Sequence, residues 1–348
     1  MTALNLNASQ ALTPATSGTY VFSVTRDQII RQAMLDIGAL AEGDSPTAQE
    51  ISDCANLLNM IVKQWMGQAD FAPGLKVWTR QRAALFLGAS KYLYNLGLTG
   101  DNWAASTTGL AYPQLYGQTQ LTTSYAAGTT VLAVGTTSQF NINDYLGIVI
   151  GSDIFWTTVA GIGVGTVTIP APGLSGAANA NAYVWNYTVK APRPFMMISA
   201  VLRDIYLNDT PLDFMTVERY EALPTKAAPT NIADPTAVLY ESAYSQQQPN
   251  GQLYIDVGGA QDVTKHIHCT FLRPVQDFNN PGDAPDYPQN WFAPLVLGLG
   301  KRIAPMFRCN WTKTLEDMLV VSLGTAKQAD PATTEVYFQP NADMAYGP

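Results

Sequence analysis

Residues 291–307 read WFAPLVLGLGKRIAPMF and residues 312–328 read TKTLEDMLVVSLGTAKQ, and these two runs decide how the whole chain is interpreted. Both have the apolar spacing of amphipathic helices, with a short turn at 308–311 between them. Neither run has a helical partner nearby in sequence. The candidate partners are two amphipathic segments near the other end of the chain, residues 26–40 and 49–66.

The two segments near the N-terminal end carry helix-start signals. Thr25 and Asp27 stand where an N-cap and a first-turn acid would be, and Thr47 and Glu50 have the spacing of a capping box. We therefore predict a helical hairpin that packs with the two later helices. The predicted core of this helical domain consists of apolar residues at helical spacing: Ile30, Met34, Ile37, Ile51, Leu58, Ile61, Trp65, Trp291, Leu295, Leu299, Ile303, Leu315, Met318 and Leu319.

The sequence between the helices is rich in β signals. Residues 119–188 contain short runs of Val, Ile, Thr, Tyr and Trp separated by Gly, Asn or Pro, which predicts a small β-sandwich or barrel. Residues 71–118 and 189–287 are predicted to form a β-rich domain around it. The predicted fold class is α+β: a discontinuous helical bundle, residues 25–70 and 288–329, with inserted antiparallel β domains.

Local patterns give finer expectations within the β region. The run RQRAALFLGASKYLYNLG at 80–97 predicts a β-hairpin around Gly88, and residues 99–116 are expected to be a loop. A short helix is expected to start at Thr216. A second hairpin is predicted with Pro249-Asn250-Gly251 as its turn.

Composition limits the possible functions. Of the 348 residues only 13% are charged, against the ~25% typical of soluble domains. Such a surface suits a protein packed against neighbours. The net charge of -8 and the absence of any basic run argue against a surface that holds nucleic acid. The cysteines Cys54, Cys269 and Cys309 indicate neither a disulfide framework nor a zinc site, and no run is long enough to span a membrane.

No constellation of residues reaches the level of a catalytic site. On a strand, His266 and His268 would share one face while Cys269 points away, which is too few ligands for a metal. The GIGVGT run at 161–166 lacks phosphate-loop spacing and reads as a hairpin turn. Glu218 and Glu221 fit a solvated helix face. We therefore expect no enzyme activity, no cofactor and no metal.

Both ends of the chain are predicted to be extended arms, residues 1–24 and 330–348. Pro331 ends the last helix, and Val336, Tyr337 and Phe338 form an apolar patch in the arm that follows. Aromatic residues are enriched at the centres of interfaces. These residues are therefore predicted to dock on a partner.

The order of these blocks resembles the head-to-tail adaptor proteins of tailed bacteriophages, also called head-completion or packaged-DNA stabilisation proteins. The resemblance covers residues 25–100 and 190–330, while residues 119–188 look like an extra β module found in some relatives. The blocks that carry it are TRDQIIRQAMLDIGAL, EISDCANLLNMIVKQW, RAALFLGASKYLYNLG, RPFMMISAVLRD, DTPLDFMTVERYEALP, NGQLYIDVGG and YPQNWFAPLVLGLGKRIAPMF.

The resemblance implies a structural role in the virion, at the capsid–tail junction. Such adaptors form a ring, usually of twelve copies, beneath the portal protein. The helical domain builds the ring and its DNA channel, and DNA passes through without sequence-specific contact. The C-terminal arm, here with Val336, Tyr337 and Phe338, would reach the portal. The β-rich part would face tail nozzle, hub or fibre proteins, after assembly in the host cytoplasm.

Two other interpretations remain open on the sequence alone. The first is a tail nozzle, hub or fibre-attachment protein dominated by β modules, although this would not require a split helical domain. The second is a β-rich protein that binds carbohydrate through Trp156, Trp185 and neighbouring tyrosines. For the second, these aromatic residues are expected to pack the small β domain instead, and a clear signal on a glycan array would favour carbohydrate binding.

Overall fold

The computed structural model describes residues 22–67, 77–111, 114–226, 230–242 and 249–329. Helices make up 24% and strands 30%, so the predicted α+β class is confirmed. The described residues form two compact units, the first built from residues within 22–67 and 275–329 and the second from residues between 77 and 274.

Five α-helices are present in the described residues, four in the first unit and one short helix in the second. They are α1 (Arg26–Asp36), α2 (Ala48–Gly67), α3 (Val217–Glu221), α4 (Phe292–Ile303) and α5 (Lys313–Gln328). In the first unit α4 packs against α1, α2 and α5. None of the helices in these ranges is long and apolar enough to cross a membrane.

The first two helices begin where the capping signals predict. The Thr25 hydroxyl accepts a hydrogen bond from Gln28 N at 3.3 Å, and Gln28 Oε1 accepts from Thr25 N at 2.9 Å. At the head of α2, Glu50 Oε2 accepts from Thr47 N at 2.8 Å. The first helix ends at Asp36, and Gly38 just beyond it adopts φ +73°, a left-handed conformation that glycine favours at helix ends.

Aromatic packing joins the two sequence halves of the helical unit. The Trp291 ring is 2% exposed and lies 5.9 Å from the Trp65 ring and 5.5 Å from the Tyr287 ring. Gly298 in α4 lets Trp65 approach, because a Cβ there would lie 2.8 Å from Cζ2 of Trp65. This contact fixes α4 against α2.

Most of the residues predicted for the helical core are buried, and three of them are half-buried: Ile51, Trp65 and Leu315. Met318 is 52% exposed, so its assignment to the core is wrong. The buried stripe of α5 runs through Leu319 and Ala326, and Met318 lies one position off it.

The second unit contains nineteen strands in the described residues. In chain order they are β1 (Arg80–Phe86), β2 (Leu93–Leu96), β3 (Trp103–Ser106), β4 (Gly117–Gln120), β5 (Val131–Ala133), β6 (Tyr145–Ile150), β7 (Asp153–Thr158), β8 (Gly161–Gly163), β9 (Thr166–Thr168), β10 (Tyr183–Tyr187), β11 (Val189–Lys190), β12 (Met196–Arg203), β13 (Asp209–Pro211), β14 (Asp213–Phe214), β15 (Ile232–Ala233), β16 (Ala237–Glu241), β17 (Gly251–Ile255), β18 (Gly259–Ala260) and β19 (His266–Leu272).

These strands form several sheets that are mainly antiparallel. The largest has the order β11-β3-β1-β19-β12-β13, and a four-stranded sheet has the order β14-β16-β17-β2. The two share an apolar core that includes Leu85, Ile267 and Phe271 from the first and Val238 and Leu253 from the second. Short parallel pairs occur at β14–β16 and β15–β18.

Two local expectations in this region are wrong. Strands β1 and β2 exist but do not form a hairpin, because β1 pairs with β19 and β3 while β2 pairs with β17. The chain leaves one sheet after Phe86 and enters another at Leu93. The expected loop at 99–116 contains strand β3, where Trp103 and Ala104 are fully buried. Both errors arise because the pairing of these strands depends on partner strands elsewhere in the chain, which local sequence patterns do not indicate.

Residues 117–187 form two further sheets, β4-β10-β6-β7 and β5-β9-β8. Apolar side chains from both sheets meet in one cluster, which includes Leu146, Ile148 and Val184 from the first sheet and Leu132 and Val167 from the second. A second cluster joins this region to the six-stranded sheet through Phe86, Trp185 and Tyr187.

We predict that Gly298→Val destabilises the helical unit by about 1–3 kcal/mol, because the added side chain overlaps Trp65 in a packed core. Urea unfolding followed by tryptophan fluorescence measures the loss. Gly282→Val is the control in the same unit, since a Cβ there meets no atom within 4 Å. Equal stability of the two variants would contradict the packing role of Gly298.

Candidate interaction surface

The outer face of α5 is apolar. Val320 and Val321 are 61% and 68% exposed, and Met318 lies beside them. The helix contains no charged residue between Asp317 and Lys327. A helix whose solvent side lacks charge over two turns departs from the usual amphipathic pattern and is typical of a surface covered by a partner. We call Met318, Val320 and Val321 the α5 face.

The N-terminal end of α5 is fixed by polar contacts. The Thr312 hydroxyl caps it by accepting from Leu315 N at 3.3 Å. The Glu316 carboxylate accepts hydrogen bonds from Lys301 Nζ and from Trp311 Nε1, each at 2.7 Å. These bonds lower the pKa of Glu316 below its ordinary value. The α5 face is therefore presented on a helix that is held firmly against α4.

Charged residues at the end of α4 are engaged within the helical unit. Lys301 pairs with Glu316, and Arg302 Nη2 donates to Gln64 Oε1 at 3.2 Å. Lys63 on α2 donates to the Val275 carbonyl and forms an ion pair with Asp277, each at 2.7 Å. Lys63, Lys301 and Arg302 therefore each have a partner within the helical unit.

His266 and His268 of β19 pack against aromatic side chains. His266 is 2% exposed, and the rings of Phe86, Trp185 and Tyr116 surround it with centroids 4.5, 4.7 and 5.2 Å away. Burial lowers the pKa of His266 well below its ordinary value. Burial also lowers the pKa of His268 to about 3, and the guanidinium of Arg203 adds to this.

Cys269 points to the opposite face of β19, into the apolar core shared by two sheets. No group of three His, Cys, Asp or Glu residues in the described ranges is arranged to hold a metal ion. Cys54, Cys269 and Cys309 are free thiols, and the first two are buried.

The other candidate motifs have ordinary structural surroundings. GIGVGT forms the β8–β9 hairpin, with Gly165 at φ +66° in its turn. Glu218 and Glu221 lie on the short helix α3 with exposed side chains. Trp185 is fully buried, and Trp156 packs against Phe86 with ring centroids 4.9 Å apart. Trp185 is therefore not accessible to a sugar, and Trp156 is half-buried.

The predicted docking arm lies outside the described residues, and so do Val336, Tyr337 and Phe338. The same holds for residues 1–21 of the predicted N-terminal arm. The described chain begins at Phe22, whose ring lies 6.0 Å from the ring of Phe292.

Sequence reasoning missed Val320 and Val321 as surface residues. Apolar periodicity alone assigned the neighbouring Met318 to the core, because Met318 and Leu319 both fit a helical stripe. The signal that could have revealed the α5 face is the uncharged run MLVVSLGTA at 318–326. A 16-residue helix with one buried side must place part of such a run in solvent.

No family model matches the chain, and no curated protein matches it. Among solved structures the chain is similar to VP17, a capsid protein of bacteriophage P23-77, with 11% sequence identity and a TM-score of 0.11. That similarity covers 55% of this chain and 78% of VP17. A TM-score at this level does not establish a common fold.

The two histidines predict a pH dependence of stability. Unfolded histidine binds a proton near pH ~6.5, whereas the folded protein keeps both imidazoles neutral. As the pH falls below that value, the unfolded state gains protons that the folded state does not. The free energy of unfolding therefore decreases, by about 1.4 kcal/mol per pH unit for each histidine.

We expect His266→Phe to reduce this loss between pH ~6 and ~5 by about 1 kcal/mol, because one of the two titrating groups is removed. Urea unfolding at the two pH values measures the change, and His268→Asn is the matched variant. An unchanged pH slope in the His266 variant would show that His266 is already protonated in the folded state.

Proposed function

We propose that this protein is a structural protein of a phage virion, a head-to-tail adaptor that assembles into a ring under the portal. The ring, of twelve copies by the family resemblance, extends the DNA channel and provides the platform to which the tail attaches. Its location is the capsid–tail junction, and the chain acts without catalysis, cofactor or metal.

The observation that carries this proposal is the α5 face. Met318, Val320 and Val321 expose apolar surface on a helix that is fixed to its own unit by Thr312 and Glu316. Burying such a face against another copy would gain roughly 25 cal/mol for each Å² of apolar surface removed from water. A ring of identical subunits provides a partner for this face in every copy.

The division of the chain supports the same proposal. Helices from both ends of the sequence lie in one unit, and the long segment between them forms the β-rich unit. We propose that the helical unit is a discontinuous bundle that builds the ring. The β-rich unit would then contact nozzle, hub or fibre proteins. The arm from residue 330 onward would start directly after α5 and bind the portal through Val336, Tyr337 and Phe338.

The charge of the chain is compatible with a DNA conduit. The net charge is -8, and Lys63, Lys301 and Arg302 each bind groups within the helical unit. A wall that repels phosphates lets DNA slide, because it offers few sites that would hold the backbone. DNA would therefore pass as cargo without specific contacts.

Electron microscopy of the purified chain, alone and mixed with the portal, tests the proposal. We expect ring-shaped particles, and we expect the chain lacking residues 330–348 to form rings that bind the portal weakly. A chain that remains monomeric in both preparations, over the concentrations of an assembly reaction, would refute the adaptor function.

A point variant tests the α5 face directly. Val321→Lys places a charge in the proposed interface, where an unpaired buried charge costs several kcal/mol, while Asp317 four residues earlier supports the lysine in the free helix. We expect the rings to dissociate into folded monomers in sedimentation experiments. Val164→Lys, at a fully exposed hairpin turn, is the control and should leave the rings intact. Rings of equal stability in both variants would exclude the α5 face.

A further inference from the structure

A cavity of about 230 Å³ lies in the β-rich unit beside the start of β7, and we call it the β7 cavity. Three segments contribute polar or aromatic side chains to it: the loop between β1 and β2, the turn before β3, and β7 itself. These side chains are Ser90, Lys91, Asp101, Asn102, Asp153 and Trp156. The cavity is therefore built from parts of the chain that are far apart in sequence.

The loop between β1 and β2, which forms one wall of the cavity, is held in place by Tyr94. Gly88 N donates to the Tyr94 hydroxyl at 2.9 Å, and this hydroxyl donates to the Lys91 carbonyl, also at 2.9 Å. From β18, Ala260 N donates to the Gly88 carbonyl at 3.2 Å. A wall fixed in this way exists before a ligand arrives, which reduces the entropy lost on binding.

Trp156 gives the cavity an aromatic surface. Its ring lies over Gly147 of the paired strand β6, where a Cβ would come within 2.8 Å of Cη2 of the indole. The Phe86 ring contacts the indole edge-on, with ring centroids 4.9 Å apart. The indole is half-buried and lines the cavity. An aromatic ring fixed beside polar groups is typical of sites for ligands that carry both C–H and polar groups.

Three polar groups at the cavity have no hydrogen-bond partner within the described residues. The Asp153 carboxylate uses Oδ1 to accept from Ile154 N at 2.9 Å, which leaves Oδ2. Asn102 Oδ1 accepts from the Tyr187 hydroxyl at 2.8 Å, which leaves the N–H groups of Nδ2. The hydroxyl of Ser90, an exposed residue, is the third group. The cavity therefore offers an acceptor, donors and a hydroxyl that can act as either.

The charges at the cavity favour a neutral ligand. Lys91 forms an ion pair with Asp101, whose Oδ2 accepts from Asn95 N at 2.7 Å. The charge of Asp153 then leaves the cavity with one net negative charge, which repels an oxyanion. A cation would lie beside the Lys91 ammonium group, whose charge weakens its attraction to Asp153. A ligand that carries hydroxyl groups in place of charge avoids both costs.

We propose that the β7 cavity binds a small neutral polyol with the size and chemistry of one sugar ring. Trp156 would contact the C–H face of the ring. Asp153 would accept hydrogen bonds from its hydroxyls, and Asn102 and Ser90 would donate to them. The volume lies below the roughly 300–1,000 Å³ of sites for drug-sized ligands, which suits a single ring. Trp185 is fully buried and takes no part.

Saturation-transfer NMR of the full chain tests the cavity, with glucose, galactose, mannose and N-acetylglucosamine as separate probes. We expect a saturable signal from at least one sugar, largest at its ring C–H protons. Asp153→Asn keeps the acceptor for Ile154 N but removes the charge. We expect it to weaken binding about tenfold, because a hydrogen bond to a charged group contributes about that much. Asp213→Asn is the matched control, an exposed aspartate on β14 that does not line the cavity.

A second variant, Asn102→Asp, keeps the acceptor for the Tyr187 hydroxyl and replaces the free donors with an oxygen. We expect it to weaken sugar binding as well, and circular dichroism checks that each variant is folded. Methyl glycosides of the same sugars distinguish two sources of the ligand. Binding that tolerates the methyl group indicates the end residue of a glycan, and binding that is lost indicates a free sugar.

Absence of a saturable signal from every sugar would overturn the proposal, and so would equal binding by wild type and Asp153→Asn. Binding of methylammonium without binding of any sugar would overturn it in favour of a cation site. The proposal uses no residue of the α5 face. Ring formation is scored separately by microscopy, so failure here leaves the adaptor proposal untouched.

Discussion

The β-rich unit depends on the pairing of β19 with β1 and β12. Strand β19 pairs with β1 along its whole length, from Phe86 opposite His266 to Arg80 opposite Leu272, and with β12 on its other side. Its partners are drawn from positions far apart in the chain, so this pairing requires a large loop closure before it gains any hydrogen bonds. Once formed, it divides the unit into an apolar side with Cys269 and a side with His266 and His268.

Features that depend on neighbouring residues, such as helix starts, could be predicted from the sequence. Features that depend on partners far away in the chain, such as strand pairing, could not. The helix starts at Thr25 and Thr47 were predictable because capping groups lie within three residues of each other. The β1–β2 hairpin was wrong because β1 finds its partner about 180 residues away, and no local pattern encodes such a choice. Met318 was assigned to the core because periodicity fixes a helix face only to within one position.

For the functional surfaces, prediction from the sequence failed for a different reason. Helical periodicity identifies apolar residues. It does not distinguish a helix face that is buried within the same chain from one that is exposed and can bind another molecule. The α5 face became visible only after the packing of α5 against α4 was known. Its residues are unremarkable in isolation. The arm at 330–348 stays a prediction, because it lies outside the described residues.

The split of the helical unit has a consequence for synthesis on the ribosome. Helices α1 and α2 emerge early, but α4, which covers their apolar sides, follows more than 200 residues later. At roughly 5–20 residues per second the nascent hairpin would wait on the order of ten seconds or more without its cover. During that interval Ile30, Leu58 and Trp65 are exposed to other nascent chains. We therefore expect the newly made α1–α2 hairpin to be prone to association with other chains until α4 has been synthesised.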